Sequence, residues 1–249
     1  AFATTAARRG FEVTLFDAAG EIGGQFNVAK QVPGKEEFYE TLRYYGRQIE
    51  LTGVTLRLNT RVSTQDLTAA GFKQVVLATD AYTRLLPQNI ARQQVTLPYF
   101  NMATQPLALD VAKSILPGRQ GVWDTKEVLL SYRFDAMNRL VFGSVGALRN
   151  SGVAVHRAWA KRALRKLYPQ ITELRFEQEW FGNIGMTSDN LPRFHQLDDG
   201  IYSFCGYNGR GIAPGTVFGR AMAGLLSGDI AAAALPLPLS QPEPAALRG

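Results

Sequence analysis

The 249-residue sequence contains little cysteine and histidine and has no long apolar run. Its single cysteine, Cys205, excludes an internal disulfide and fits a reducing, cytoplasmic setting. The two histidines, His156 and His195, lie far apart in sequence, which argues against a dedicated zinc or iron–sulfur site. The apolar stretch Ile230–Leu239 is interrupted by two prolines and is far shorter than the roughly 20 residues that a membrane helix requires. The sequence therefore predicts no metal partner and no membrane partner.

The composition is that of a globular protein, with 46% hydrophobic and 19% charged residues. The net charge of +6 is scattered along the chain except in one basic segment, 157–166. In that segment the charges alternate with Ala160 and Leu164 at helical spacing, which is typical of the solvated face of an amphipathic helix. We therefore predict no nucleic-acid partner. The basic residues of the segment are Arg157, Lys161, Arg162, Arg165 and Lys166.

The first residues predict part of a dinucleotide-binding unit. Ala1–Arg9 is typical of the end of a helix closed by Gly10, and Phe11–Asp17 is typical of a short strand that ends in a carboxylate. In a βαβ unit such a carboxylate accepts hydrogen bonds from the ribose hydroxyls, although Asp17 fits a simple turn at a strand end equally well. Because the sequence opens within a helix pattern, we predict that it was cut from a longer chain.

The remaining pattern changes character near residue 80. Before it, Glu21–Gln25 predicts a flexible turn, followed by an amphipathic helix over 35–51, strands over 54–58 and 73–79, and a short strand near 60–62. After it, strand patterns separated by proline and glycine predict an antiparallel sheet. We predict later strands over 95–103, 121–124, 128–134, 139–143, 172–181 and 200–205, and helices over 154–167 and 214–226. Residues 182–192 are predicted to be irregular.

A glycine-rich segment, Gly206–Gly211, lies between a predicted strand and a predicted helix. This arrangement directs free backbone N–H groups towards an anion, and with Gly215 it resembles a G-x-G-x-x-x-G pattern. No strand with an acidic end follows within the distance that a nucleotide site requires, and G-x-G-x-x-G occurs nowhere in the sequence. The segment either stabilises negative charge on a bound ring or is a tight structural turn.

Two parts of the chain resemble two different families. Residues 1–79, with EVTLFDAAGEIGGQFN and QVPGKEEFYETLRYY, closely resemble the FAD domain of bacterial 2,4-dienoyl-CoA reductases of the old-yellow-enzyme type. Residues 76–235 resemble the C-terminal part of the D-amino-acid-oxidase-like (DAO) flavoenzymes, nearest the γ-glutamylputrescine and amine oxidase branch. The second match rests on VVLATDAYT, VWDTKEVLLSYRF, EWFGNIGMTSDNLPRF and GIYSFCGYNGRGIAPGTVFGRAMAGLL. The join falls near Val76–Asp80, so the chain is interpreted as a chimera.

The resemblance implies an FAD site with residues from both ends of the chain. Asp17 would bind the adenosine ribose, Gly23, Gly24 and Gln25 would lie along the ribose and pyrophosphate, and Val62 would contact the adenine through its backbone. The residues implied at the flavin ring are Gly206, Gly209, Arg210, Gly211 and Ile212. Substrate contacts would come from the sheet and from the loop 182–187, and no residue is assigned as an acid or base. The third glycine of the reductase phosphate loop would precede Ala1.

These expectations define a fold class, domain boundaries and a function. The fold is expected to be α/β, with a partial Rossmann-like FAD domain that lacks its first strand and glycine loop, plus an α+β antiparallel-sheet substrate domain. Residues 1–80 and 195–232 would form the FAD-binding domain, 81–194 the partial substrate domain, and 233–249 a loose proline-rich tail. The resemblance implies oxidation of a small-molecule amine or amino acid by hydride transfer to flavin N5. The alternatives are a non-catalytic fragment that binds little FAD and a remnant of an NADPH-dependent dienoyl-CoA reductase.

Overall fold

The computed structural model describes residues 1–31, 35–82, 94–126 and 128–241. Its helices are α1 (Phe2–Arg8), α2 (Phe26–Ala29), α3 (Glu37–Leu51), α4 (Thr64–Ala69), α5 (Leu109–Ile115), α6 (Gly152–Leu167) and α7 (Ile212–Leu226). Short 3₁₀ turns lie at Asp80–Tyr82 and Ala232–Ala234. The strands of the first half are β1 (Thr14–Phe16), β2 (Thr55–Arg57), β3 (Val75–Leu77), β4 (Val95–Pro106) and β5 (Val122–Trp123). Those that follow are β6 (Leu130–Phe134), β7 (Arg139–Val145), β8 (Phe176–Met186), β9 (Arg193–Asp198), β10 (Ile201–Cys205) and β11 (Leu239–Ser240).

The chain divides into two compact units that are discontinuous in sequence. Unit 1 comprises Ala1–Ala29, Glu37–Thr96 and Ile184–Gly249, and unit 2 comprises Lys30–Glu36 and Leu97–Asn183. The assignment of an FAD-binding role and a substrate role to separate domains stays a prediction.

The N-terminal helix ends as the sequence predicts. Gly10 has φ +89°, its N–H donates to the Ala7 carbonyl (3.0 Å), and the Phe11 N–H donates to the Ala6 carbonyl (3.2 Å). These two bonds form a Schellman motif, which requires a residue that tolerates the left-handed conformation. Glycine therefore closes α1 and directs the chain into β1.

The described residues of unit 1 form two sheets. Strands β1 and β2 pair in parallel, and a second sheet has the order β11-β9-β10-β3, in which β3 and β10 are parallel and β9 and β10 antiparallel. Phe194 and Phe204 on β9 and β10 pack with Phe218 and Met222 of α7 in a buried apolar cluster. A Cβ at Gly219 would lie 2.8 Å from the Phe2 nitrogen, so this glycine allows α1 and α7 to approach closely. The cluster fixes α7 against the strand that leads into it.

Unit 2 contains a sheet with the order β5-β6-β7-β4-β8. One face of this sheet packs against helices in an apolar core that includes Phe100, Phe142 and Leu164. The α6 helix buries Ala160 and Leu164, whereas Arg162 and Arg165 are exposed. The interpretation of the basic segment as the solvated face of an amphipathic helix is thus confirmed.

Three local predictions were wrong. Residues 60–62 form no strand, because the Thr60 N–H donates to the Asp17 carbonyl (2.9 Å) and Ser63 then begins α4 through a capping box with Asp66. Residues 182–186 are not irregular but continue β8. The tail is not loose at Leu239–Ser240, which pair with β9. Residues 242–249 of the predicted tail lie outside the described residues.

The fold class is confirmed as a mixed α/β protein with antiparallel sheet. The strand Arg193–Asp198, which the sequence pattern did not predict, supplies the antiparallel partner of β10. No helix in the described parts of the chain combines the length and apolarity needed to cross a membrane.

Candidate functional site

The glycine-rich segment forms a turn that ordinary residues would not adopt. After β10 ends at Cys205, the backbone takes positive φ at Gly206 (+73°), Asn208 (+53°) and Gly209 (+78°). Glycine enters this region without steric cost, and asparagine tolerates it better than most residues. The α7 helix then starts, with Gly211 as its N-cap. The sequence Gly206–Gly211 therefore encodes a specific turn shape and not a flexible linker.

Two side chains from a distant part of unit 1 hold the first residue of this turn. The Gly206 N–H donates to the Asp80 carboxylate (2.8 Å) and to the Gln94 side-chain oxygen (3.0 Å). The Gln94 amide in turn donates to the Asp80 carbonyl (2.6 Å), which fixes its orientation. Gln94 is buried, so its bonds form in a weakly screened environment. The position of Gly206 is thus set by a closed network and does not depend on a ligand.

Asn208 anchors the middle of the turn to the segment that follows β8. Its side-chain oxygen accepts the Thr187 N–H (2.9 Å), and its amide donates to the Thr187 hydroxyl (3.0 Å) and to the Gly206 carbonyl. Its own N–H donates to the Gly185 carbonyl (2.9 Å). Asn208 and Thr187 are both buried. Asparagine supplies the donor and the acceptor that this arrangement needs at one position.

The network leaves no space for a side chain at two glycines. A Cβ at Gly206 would lie 2.3 Å from Thr187 Cγ2, and a Cβ at Gly185 would lie 2.1 Å from Gln94 Oε1. By contrast, a Cβ at Gly209 would meet only Ile184, at an ordinary 3.5 Å. The turn is therefore tightly packed at its start and has room beside Gly209.

Burial raises the pKa values of three groups in and beside the turn. Burial raises the pKa of Asp80 above its usual value, and the N–H groups of Gly206, Ala81 and Tyr207 oppose this by favouring the carboxylate. Burial, together with the Asp80 charge, also raises the pKa of the Cys205 thiol to about 12 and raises that of the Tyr207 phenol. Cys205 is thus a neutral buried thiol and not a nucleophile.

We expect the pH dependence of stability to change in Asp80→Asn. Because the folded-state pKa of Asp80 is raised, its contribution to stability is complete below the unfolded-state pKa of about 3.9 and is lost as pH rises through the folded-state pKa. The wild type should therefore lose stability relative to the variant over that interval. Urea midpoints measured for both proteins at a series of pH values test this, and a constant difference across the series would contradict it.

The structure places Asp17 at the end of β1, in a turn. One oxygen of its carboxylate accepts the Ala19 N–H (2.9 Å), and its backbone bonds to Arg57 and Thr60. Asp17 therefore stabilises the turn at the end of β1, and its side chain is only partly buried. Ribose binding by Asp17 stays a prediction. The second oxygen of its carboxylate would accept hydrogen bonds from the ribose hydroxyls.

The predicted residues Gly23, Gly24 and Gln25 follow β1 in a tight turn. Gly23 has φ +119° and a Cβ there would lie 2.5 Å from the Leu42 side chain, whereas Gly24 (φ +50°) has open space. The Gln25 amide donates to the Tyr82 hydroxyl (3.0 Å). Because Tyr82 and Asp80 belong to one 3₁₀ turn, Gln25 and Gly206 are bonded to the same short segment. Val62 lies partly buried in the loop before α4.

The residues predicted at a cofactor ring surround the start of α7. Arg210 and Ile212 are exposed, and Gly211 caps the helix without a side-chain hydrogen bond among the described residues. In the first turn Pro214 has no N–H and the Gly215 N–H donates to the Gly211 carbonyl (2.8 Å), so the N–H groups of Ile212 and Ala213 carry the positive end of the helix dipole. This set fits an acceptor atom on a planar ring, such as the pyrimidine oxygen of a flavin. It offers no counterpart to the glycine loop that binds a pyrophosphate.

Sequence reasoning missed the side chains that build the turn. Asp80 was used only to place the family join, and Gln94, Thr187 and Asn208 were not selected. The signal available for Asn208 was its position between glycines, where a left-handed residue is expected. Nothing local marks Gln94 or Thr187, because their partners are distant in sequence.

A family model described as "FAD dependent oxidoreductase" (DAO) matches residues 37–225. The probable oxidoreductase OrdL of Haemophilus influenzae is 34% identical over 161 residues, which are 63% of this chain and 36% of that protein. The gamma-glutamylputrescine oxidoreductase of Escherichia coli is 32% identical over 193 residues, which are 74% of this chain and 44% of that protein. The aligned part is therefore less than half the length of each of these curated relatives.

Among solved structures, L-proline dehydrogenase from P. horikoshii superposes on 80% of this chain and 57% of its own with a TM-score of 0.55. The sequence identity in that superposition is 18%, so the likeness concerns the fold alone.

Proposed function

Since the chain belongs to the family of FAD-dependent oxidoreductases (DAO), whose cofactor is FAD, we propose that it takes part in the oxidation of an amine or amino acid. When bound, FAD would supply the hydride acceptor for the carbon next to the substrate nitrogen, which would leave an imine for hydrolysis by water. The observation that carries the proposal is the turn Gly206–Gly211, which is held by its own network and leads directly into α7.

The residues of the turn would hold and polarise the flavin ring. Gly209 leaves space for a planar ring beside the backbone, whereas the Tyr207 side chain lies against Gly211. The N–H groups of Ile212 and Ala213 would donate to the pyrimidine oxygen. A helix N-terminus stabilises negative charge by about 0.3–1 kcal/mol, and by up to about 2 kcal/mol when partly buried. Because Asp80 and Gln94 fix Gly206 in advance, little of this stabilisation would be lost to reorganisation.

At the other end of the cofactor, we propose that Asp17 binds the adenosine ribose and that Gly23, Gly24 and Gln25 line the ribose and pyrophosphate. Support comes from the bond between Gln25 and Tyr82, because Tyr82 belongs to the 3₁₀ turn that also holds Gly206. Val62 would contact the adenine through its backbone. Arg210 and Ile212 would complete the ring contacts from the exposed start of α7.

Retention of FAD tests the proposal. The chain is incubated with excess FAD and desalted, and its visible flavin absorbance is compared with its protein absorbance. A stoichiometric yellow protein is expected, and peroxide should form when amines or amino acids are added in air. As a control for substitution outside the proposed site, Gly53→Ala changes an exposed glycine in unit 1, and this variant should retain FAD.

A colourless but folded protein would contradict cofactor binding by this chain and favour the alternative of a non-catalytic fragment. Activity with NADPH and an unsaturated acyl-CoA would favour the reductase alternative. A yellow protein that yields no peroxide with any amine would contradict the substrate class alone.

The proposed chimeric origin concerns the segment Val76–Asp80. Its support is the change of motif type on the two sides of that segment. The family match begins at residue 37 and runs across the junction, so the match by itself does not require two origins for residues 37–225. Sequencing of the source gene across this junction tests the proposal. The cytoplasmic setting likewise stays a proposal based on the single cysteine.

A further inference from the structure

The turn after β10 contains a dipeptide with covalent chemistry of its own. Asn208 is followed by Gly209, and this is the one Asn-Gly pair in the sequence. The backbone nitrogen that follows an asparagine can attack the side-chain carbonyl carbon, and glycine hinders this attack least because it has no Cβ. Among the asparagines of the sequence, Asn208 therefore has the highest intrinsic reactivity in an unfolded chain.

The reaction is deamidation through a cyclic imide. A bond forms between the Gly209 nitrogen and Asn208 Cγ, the bond between Cγ and Nδ2 breaks, and ammonia leaves with the proton of the Gly209 N–H. Water then opens the imide at either carbonyl and leaves aspartate or isoaspartate. No electrons are transferred, so the chain and water are the only reactants.

The folded turn restrains both polar atoms of the Asn208 amide. Oδ1 accepts the Thr187 N–H (2.9 Å), and Nδ2 donates to the Thr187 hydroxyl (3.0 Å) and to the Gly206 carbonyl. The Thr187 hydroxyl itself donates to the Leu191 carbonyl (2.8 Å), so its lone pairs are available to Nδ2. Attack by the Gly209 nitrogen requires the amide to rotate, and rotation breaks the bonds of a buried group. Cyclisation therefore requires the turn to open first.

The residues after Asn208 are lightly packed. Gly209 and Arg210 are exposed, and a Cβ at Gly209 would meet only Ile184, at 3.5 Å. Backbone of this kind opens locally at a lower free energy than a buried strand. Asn208 lies between the buried strand and the exposed residues, so its bonds to Thr187 are the contacts that local opening must break.

Neither product of deamidation can restore the turn. One oxygen of an aspartate could accept the Thr187 N–H, but the other would face the Gly206 carbonyl, to which Nδ2 donates in the unmodified chain. It would also add a buried negative charge near Asp80, whose carboxylate accepts the Gly206 N–H. Isoaspartate lengthens the backbone at a residue whose φ is +53°. Modification of Asn208 would therefore keep the turn open.

We propose that Asn208–Gly209 is a self-modification site, at which the bonds to Thr187 protect Asn208 from deamidation and opening of the turn allows it. A chain whose turn opens often loses the start of α7 irreversibly, because the product cannot close again. The site thus limits the lifetime of the turn through the same side chain that anchors it.

Peptide mapping of the full chain without FAD tests the proposal. After incubation in mildly alkaline buffer, trypsin releases peptide 194–210, which lies between Arg193 and the bond after Arg210 and contains Asn208 as its one asparagine. Mass spectrometry then measures the deamidated fraction. Deamidation of the folded wild type should be at least about a hundredfold slower than that of the chain unfolded in urea. Thr187→Val removes the hydroxyl that accepts from Nδ2 and should accelerate deamidation about ten- to a hundredfold, the range for a buried donor that loses its partner.

Thr104→Val is the matched control, because Thr104 is also buried and its hydroxyl accepts the Leu140 N–H (2.9 Å) in unit 2. It should leave the deamidation rate of Asn208 unchanged, whereas equal acceleration by both variants would show that only global unfolding exposes the site. Asn208→Asp, one of the two products, should have a lower urea midpoint than the wild type.

The proposal is overturned by equal rates in the folded and unfolded wild type, by no effect of Thr187→Val, by equal acceleration in Thr104→Val, or by an unchanged midpoint in Asn208→Asp. If Thr187→Val fails to fold, the comparison of folded with unfolded wild type decides. Because no sample contains FAD, these outcomes are independent of FAD retention and peroxide formation.

Discussion

Replacing Gly206 by alanine is expected to lower the free energy of unfolding by about 2–5 kcal/mol and to abolish FAD retention. The left-handed conformation at φ +73° costs alanine about 1–2 kcal/mol. The new Cβ, 2.3 Å from Thr187 Cγ2, adds overpacking of about 1–3 kcal/mol. Relief of the clash would shift the turn and with it the start of α7. Urea denaturation and the flavin absorbance of the desalted protein measure the two effects.

Gly53→Ala separates backbone strain from the clash. Gly53 has φ +69° and open space around its Cβ position, so this variant should lose only about 1–2 kcal/mol and retain FAD. Equal destabilisation by the two substitutions would show that the packing of Gly206 against Thr187 contributes nothing. Normal FAD retention by Gly206→Ala would contradict the proposed role of the turn.

Asn208→Ala is expected to destabilise the protein by about 2–6 kcal/mol. The substitution removes the acceptor of the Thr187 N–H and a donor to the Gly206 carbonyl, and each buried group left unsatisfied costs about 1–3 kcal/mol. The cost should appear as a lower urea midpoint with an unchanged slope. FAD affinity should fall together with stability, because the turn loses its anchor to the segment after β8.

Two variants distinguish this bonding role from the left-handed backbone at Asn208. Asn208→Gly removes the side-chain bonds without adding strain and should remain clearly destabilised. Asn150→Ala changes an exposed asparagine at φ +52° and should cost about 1 kcal/mol. If Asn208→Gly is as stable as the wild type, the hydrogen bonds to Thr187 and Gly206 have no net effect.

Much of the fold could be predicted from local pattern. The helix over 35–51 is observed as Glu37–Leu51, and the strand before the glycine-rich segment as Ile201–Cys205. These elements have strong periodicity or clear glycine boundaries, which act within a few residues. The prediction of a strand at 60–62 was wrong because Ser63 and Asp66 form a capping box that begins α4 there. The missed strand Arg193–Asp198 has mixed polar and apolar residues, and its pairing partner stabilises it.

The candidate site was predictable only in part. The glycine and asparagine positions of the turn follow from their backbone freedom, so the sequence located Gly206–Gly211 as special. It could not decide between a structural turn and a ligand-binding turn, since both need the same backbone. The partners Asp80 and Gln94 lie more than 100 residues before Gly206, and only the packing of unit 1 brings them to its N–H.

The sequence by itself determined the helices α1, α3, α6 and α7, most strands, the glycine turn and the family, because these depend on periodicity, backbone conformation and long specific motifs. The tertiary structure decided which side chains hold the turn and which polar groups share a sheet face. The Tyr99 and Ser131 hydroxyls meet on one face because β4, β7 and β6 are adjacent in that order. Strand order and register are set by long-range packing, so no local pattern specifies them.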